Sequence, residues 1–407
     1  MSKNYQNLKL KFLFFLAVLL QLSYLLFALF QQPYFYFFPH GNVHEFQGMD
    51  FYQVPNGAHA FFQGGSLNGV IPTGGSGYSF GNYNVYHPFF TVVVGGFLQL
   101  FQPETAFLLW KFLNPLIKLI LIWLVYKKVV LASKSNQLKK TAVFALFIFL
   151  ANFAQALEMW NGQYHFLLDT GIVLFFLFYK HDFWAALALV LTFLVKPVTV
   201  LWLPFLLVEK RFRLVALSVA IFTAVSVPFL LNGSGDYYFT NLITRIGQPI
   251  GGPPGVFTLD ALLRTWQVSW YLKYGLYLKV FLLVGILFLQ WKKQLSFWKV
   301  AFLLTSFYLL FYDLVFEYHY TTLGTLLALG FLSEKVFQQK IVRLLALSSI
   351  LMTPYIFMYI MQLGTLGHYV TKVGWSILVL SKIVPLMLLN FYLVKSNDKK
   401  TSLKTSN

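Results

Sequence analysis

Long apolar runs broken by short polar stretches set the pattern of this chain. Runs such as "FLFFLAVLL" and "LLVGILFL" show no alternation of polar and apolar positions, so they read as helices and not as strands of a barrel. Twelve such segments stand out, at 12–30, 105–126, 141–157, 164–180, 183–195, 198–208, 213–231, 274–290, 298–312, 320–332, 341–360 and 374–394. A helical crossing needs about 20 predominantly apolar residues. In lipid, only structures that satisfy their own backbone can span. The pattern therefore predicts an all-α, polytopic membrane protein of about 12 transmembrane helices, with both ends on one side. Segments 183–195 and 198–208 are too short for one full crossing each, and read as tilted or broken helices meeting at Lys196-Pro197. Residues 31–104 form a long first external loop in this reading, and the apolar stretch 89–101 lies in the interface within it. A second external loop covers 232–272. No internal repeat and no soluble domain is visible, so residues 1–394 read as a single integral-membrane domain, followed by a disordered cytoplasmic tail at 395–407. The first apolar segment has a basic start but lacks a small-residue cleavage site, so it reads as a retained helix and not as a signal peptide.

Composition sharpens this picture. Hydrophobic residues make up 58% of the 407, and charged residues 11%, against roughly a half and a quarter in soluble domains. The chain has no Cys, which excludes disulfide and thiol chemistry. A net charge of +18 raises the question of a nucleic-acid partner, but its distribution answers it. Of the 31 Lys and Arg residues, 22 fall on one set of connections, 5 on the other and 4 inside the apolar segments. That is the positive-inside asymmetry of a membrane protein. It makes the first set cytoplasmic, together with both termini, and leaves no call for nucleic acid. If residues 89–101 crossed, Lys127 and Lys128 would be turned outside and the asymmetry would collapse.

The outer face is poor in charge, and its few ionisable groups gather near helix ends. Asp50 lies in "GMDFYQVPNGAHAFFQGG" (48–65). The turn "EMWNGQYH" (158–165) joins two segments. Lys196 lies in "LVKPVT", Asp260 and Arg264 in "LDALLRTW", and Asp313, Glu317 and His319 in "YDLVFEYHY". Ionisable groups at membrane depth are costly and mark function by default. Structural alternatives stand beside that reading. Asp50 suits a helix N-cap, Lys196 a lysine reaching for the headgroups, and His319 an interfacial histidine bonded to backbone. Tyr52, Trp160, Tyr164, Tyr318 and Tyr320 suit an aromatic belt. The run "IPTGGSGYSFGNYN" lacks a Walker lysine and is a loop, not a phosphate cradle. His40 and His44 have no strong third ligand, so no metal site is expected, and no cofactor is implied.

In order along the chain stand "MDFYQVPNGAHAFFQGG", then "VYHPFFTVVVGGFLQLF" (85–101), "AFLLWKFLN" (106–114) and "NGQYHFLL" (161–168). "AALALVLTFLVKPVTVLWLPFLLVEKRFR" (185–213) and "FEYHYTTLGTLLALG" (316–330) follow. Taken together, they resemble the bacterial polyprenyl-phosphate-mannose-dependent mannosyltransferases, of the GT-C class of integral-membrane glycosyltransferases. The chain departs from that pattern at His87-Pro88, where the family often has two prolines, and at "VFTLDALLR", where Asn-Gln is expected before the helix. The resemblance implies a GT-C-like fold whose long first external loop carries interfacial helices. It implies transfer of a hexose, mannose in the family, from a polyprenyl-phosphate-linked donor to a glycolipid or glycan acceptor, among membrane lipids. The enzyme would be a multi-pass protein of the cell membrane with its active site on the external or periplasmic face. Asp50 then takes the role of catalytic base, and a single base attacking opposite the leaving group inverts the anomeric centre. Lys196, His319 and Arg264 become candidates for the donor phosphate, and Tyr52, Trp160, Asn161, Gln163 and Glu317 for substrate contacts. A polytopic transporter or a lipid-linked oligosaccharide flippase is the alternative from another class, since broken helices suit it as well. A polysaccharide polymerase or ligase is a rival within enzymes; those place their largest external loop late, whereas this chain's larger loop is the first.

Overall fold

A computed structural model describes residues 3–30, 48–67, 84–131, 136–244, 256–293, 295–312, 315–351, 364–365 and 369–396. Asp313, His40, His44, the glycine-rich run up to residue 83, and the tail from residue 397 lie outside the described residues. Nearly everything described is helix. The only strands among the described residues are the two-residue antiparallel pair Gly364–Thr365 and Tyr369–Val370.

The helices in chain order are α1 (Lys3–Phe30), α2 (Met49–Phe62), α3 (Pro88–Leu98), α4 (Pro103–Val125), α5 (Asn136–Ala151) and α6 (Ala154–Asn161). They continue as α7 (His165–Leu177), α8 (Asp182–Val195), α9 (Pro197–Val208), α10 (Phe212–Leu231) and α11 (Asp236–Thr244). The last six are α12 (Leu259–Thr265), α13 (Ser269–Lys293), α14 (Phe297–Phe311), α15 (Tyr320–Ser333), α16 (Lys340–Ile350) and α17 (Lys372–Lys395). Helix occupies each of the twelve apolar segments as far as they are described. Among the described residues, four helices are long and apolar enough to cross a membrane, at 103–129, 212–231, 269–293 and 372–395, or five if the bent pair 141–151 and 154–161 counts as one span. The chain is thus a membrane protein by its helices. The shorter apolar helices, α7, α8, α9 and α14 among them, do not reach a span's length one by one.

The breaks have local causes. Pro197 disfavours helix at the residue before it, and Lys196 is extended (φ −152°, ψ 129°) between α8 and the tight turn of 3₁₀ helix that opens α9. Between α5 and α6 the axis bends by 40°. There Asn152 accepts the Ala154 N–H (3.2 Å) and donates to the Tyr320 carbonyl (2.8 Å), so the polar groups at the break are satisfied. In α3 the middle turn, Thr91–Gly95, is a π-helical bulge, and its flank packs on α2.

By internal contacts the chain divides into two compact units. One comprises residues 44–119 and 158–248; the other comprises 1–43, 120–157 and 249–407. Each is discontinuous in sequence. In the first, α7 packs on α8, and α8 on α10. In the second, α5 packs on both α1 and α15, and α16 on α17.

Candidate active site

In the first unit, one face of α4 explains the motif "AFLLWKFLN". Ala106, Trp110, Asn114 and Lys118 recur every four residues, share that face, and are all buried. Two of them hold the turn 158–166. Trp110 donates its indole N–H to the Gln163 carbonyl (3.4 Å), and Lys118 forms a fully buried ion pair with Glu158 (2.9 Å). The other oxygen of Glu158 accepts the Phe166 N–H at the start of α7, and the Glu158 carbonyl accepts the Gln163 N–H (2.9 Å). Gly162 allows the turn itself. Its φ is +71°, and a Cβ there would lie 2.4 Å from the Cβ of Phe51, so only glycine serves both needs.

That turn delivers Gln163 to Asp50. Asp50 is the second residue of α2 and keeps part of its surface open. Gln53, one turn on, donates its amide to Oδ1 (2.8 Å), and Gln163 donates to Oδ2. The Tyr86 hydroxyl donates to the Gln163 side-chain oxygen (3.0 Å). This bond fixes which end of the carboxamide faces the carboxylate. Tyr164 holds α2 from below: it stacks on Phe51 (6.2 Å between centroids, 6° between planes) and donates to the Phe51 carbonyl (2.8 Å). Gly48 donates its N–H to the Trp160 carbonyl (3.2 Å).

Lys196 completes the group. Its position in the extended break between α8 and α9 puts its charge within electrostatic reach of Asp50 and Glu158. Burial pushes the Asp50 carboxyl up to about 6, against Lys196 and the amides of Gln163 and Gln53, which pull it down. Burial pulls the Lys196 ammonium down to about 7, against Asp50 and Glu158, which raise it. Burial and the Asp50 charge hold the Tyr86 phenol well above its ordinary value, so it acts as a donor. Next to it, His87 is buried and its Nδ1 accepts the Phe89 N–H (3.2 Å), while Nε2 faces Ser226 Oγ (2.9 Å). With burial taking it down to about 4, His87 is a neutral cap on α3 and a tie to α10.

The structure therefore brings Asp50, Gln163 and Lys196 together. Tyr52 packs its ring on Phe51 and Phe107, and Trp160 is buried beside the turn, with Asn161 half-exposed at its edge. The other candidates belong to the second unit and have partners there. His319 caps its own turn, its Nδ1 accepting the Phe316 N–H (3.0 Å), and stacks on Tyr318 (4.5 Å). Glu317 is buried against Lys382 (3.0 Å). Arg264 pairs with Asp260 (2.7 Å). Sequence reasoning missed Gln53, Tyr86, Glu158 and Lys118. The i+3 spacing of Gln53 from Asp50 was one available signal, and the charges of Lys118 inside an apolar segment and of Glu158 beside one were others. No cluster of metal-binding side chains occurs among the described residues.

Comparison with known families gives a match. Residues 84–316, more than half of the chain, fit the family model of glycosyltransferase family 87. The chain belongs to glycosyltransferase family 87. It is therefore a membrane glycosyltransferase, with a sugar donor and an acceptor as its substrates, and the transporter reading falls. None of the curated proteins compared with the enzyme matches it. The family match takes in Tyr86, Glu158, Gln163, Lys196 and Arg264; Asp50 precedes it, and Glu317 and His319 lie just past its end.

Proposed function

We propose that this enzyme moves a hexose, mannose by the resemblance of its motifs, from a polyprenyl-phosphate donor to a glycolipid or glycan acceptor, with inversion. The observation that carries the reading is the carboxylate of Asp50. Two carboxamides hold its two oxygens, it remains partly open, and a lysine lies in electrostatic reach. In the step proposed, an acceptor hydroxyl attacks the anomeric carbon and gives its proton to Asp50. The bond from the anomeric carbon to the phosphate oxygen breaks, and its electron pair leaves with polyprenyl phosphate. An alcohol is a poor nucleophile and gains from a base in reach. A phosphate already leaves well, and what it needs is a cation facing its growing charge. Lys196 is that cation in our reading, with His319 and Arg264 as further candidates. Tyr52, Trp160, Asn161, Gln163 and Glu317 remain the candidates for sugar contacts, with Gln163 also orienting the base and Glu317 held by Lys382. The one-domain organisation over residues 1–394, the count of about twelve crossings, the cytoplasmic termini and the external site belong to the same proposal.

The test is transfer by purified enzyme in detergent, given polyprenyl-phosphate-mannose and candidate acceptors. Free polyprenyl phosphate should appear only when an acceptor is present. Asp50→Asn should abolish that release while donor binding stays close to wild type. Wild-type turnover in Asp50→Asn would remove the base assignment. Release with other polyprenyl-linked sugars but not with mannose would replace the sugar.

A further inference from the structure

The break between α8 and α9 has a fixed shape, and side chains as well as backbone fix it. The Lys196 N–H still reaches back to the Thr192 carbonyl (2.9 Å). The Leu194 carbonyl lies in the last turn of α8, where a helix has no donors of its own to offer, and it accepts the His87 N–H (3.4 Å) from the cap of α3. A further contact joins the two helices directly. Thr192 and Thr199 stand one turn before and one turn after Lys196, both fully buried, and their hydroxyls are bonded to each other. A hydroxyl has one proton to give. Thr192 gives its own to the Leu189 carbonyl (2.5 Å), so Thr199 is the donor between them and Thr192 the acceptor. Back-bonding such as that of Thr192 to Leu189 is ordinary for a threonine in a helix. The bond from Thr199 is of another kind, since it crosses an extended residue to a side chain seven positions earlier.

Thr192 is itself held in place. Gly171 of α7 lies so close that a Cβ there would stand 2.5 Å from Thr192 Cγ2 and 2.8 Å from the Ala188 carbonyl oxygen. α7 begins at His165, directly after the turn that carries Gln163. One helix therefore serves as reference both for the amide on Asp50 and for the break that carries Lys196. A lysine ends in a point charge on a flexible four-carbon stem, so where the charge goes depends first on where its backbone is held. We propose that Thr199 is a positioning residue for the transfer reaction: its hydroxyl, bonded to Thr192, keeps the break at one angle and so sets where Lys196 delivers its ammonium. The inference rests on Lys196 as the cation for the donor phosphate, and goes beyond that reading by naming what places it.

The test has a kinetic and a structural arm, both on the purified full chain. Thr199→Val keeps the side chain's shape and loses its donor, and should lower kcat by at least about tenfold, since small displacements of a catalytic group are costly. Thr199→Ser restores the hydroxyl and should restore the rate. Added to Lys196→Met, Thr199→Val should cost nothing further, because no ammonium is left to misplace. A loss as large in the Lys196→Met background as in wild type is general damage and overturns the proposal. So does wild-type kcat in Thr199→Val while Lys196→Met is impaired. Wild-type kcat in Lys196→Met overturns the phosphate reading itself, and this inference with it. The structural arm needs no substrate. The chain has no Cys, so spin labels on Trp184→Cys and Val200→Cys, both exposed, report the distance between α8 and α9. Thr199→Val should broaden that distance distribution and Thr199→Ser should leave it narrow; an unchanged distribution in Thr199→Val overturns the latch. Thr192→Val removes the acceptor of the same bond and should give the same two results, so the latch is read even where Thr199→Val does not fold.

Discussion

At the scale of single residues, the chemistry proposed here rests on how Asp50 is held. Both its oxygens face amide donors, and the Gln163 donor is itself oriented by Tyr86. Removing the Tyr86 hydroxyl frees the Gln163 carboxamide to turn, so Tyr86→Phe should lower kcat by roughly fivefold, the worth of about 1 kcal/mol of lost hydrogen bonding, with donor KM little changed. A loss confined to KM would assign Tyr86 to substrate binding. The pH profile carries a second expectation. The base must be ionised, and burial raises Asp50 to about 6, so kcat/KM should fall as pH drops below about 6. The cation must be charged, and burial lowers Lys196 to about 7, so kcat/KM should fall again above about 7. The two limbs belong to the interacting pair, not to either residue. A bound phosphate favours the ammonium, so the alkaline limb of kcat should lie higher than that of kcat/KM. A flat profile from pH 5 to 9 would remove both groups from the reaction. Asp50 and Lys196 were legible as candidates because ionisable residues are conspicuous in an apolar chain. Gln163 was legible only as a candidate for sugar contacts, and its pairing with Asp50 and Tyr86 was not. Tyr86 and Gln163 are 77 positions apart, and Lys118 and Glu158 are 40 apart, and only tertiary approach makes such pairs meet.

At the scale of elements, the apolar runs marked where helices lie, because a buried or lipid-facing helix needs little besides length and hydrophobicity. What they left open is how the helices end and break. The segment read as 141–157 is two helices with a bend at Asn152, and the loop around Asp50 is helix from Met49 to Phe62, carrying Pro55 inside it. These depend on single contacts. The Asn152 bend leans on Gly324 of α15, where a Cβ would stand 2.3 Å from the Asn152 amide nitrogen. Gly324→Ala should push Asn152 off the Tyr320 carbonyl and cost about 1–3 kcal/mol, the usual range for overpacking, seen as a Tm several degrees lower. An unchanged Tm would mean that the α5–α15 contact yields at no cost. Gly162→Ala should be worse for catalysis than for stability, because the same Cβ that meets Phe51 displaces the turn carrying Gln163. Activity should fall by more than tenfold in protein that still purifies as a folded species, and full activity would separate the turn from the site.

At the scale of the whole molecule, the proposed side of the membrane for each connection rests on the distribution of charge. Lys and Arg crowd the connections that hold Lys127, Arg211 and Lys293 and thin out on those that hold Asp50, Lys196 and Arg264, and translocation disfavours the crowded side. The helices provide two clean markers of that assignment. α10 runs from the basic turn at Arg211 to Asn232, and α13 runs from Ser269 to the basic end at Lys293; both have a span's length, and Asn232 and Lys293 are exposed. The absence of Cys from the chain makes the experiment direct, because a single introduced thiol has no background. Asn232→Cys should react with a membrane-impermeant maleimide added to intact cells. Lys293→Cys should stay unlabelled until the membrane is opened. If Lys293→Cys is the one labelled from outside, the basic connections are external, Asp50 and Lys196 face the cytoplasm, and an acceptor on the outer face is out of their reach. If both are labelled in intact cells, one of α10 and α13 does not cross, and the crossing count has to be rebuilt from those two helices outward.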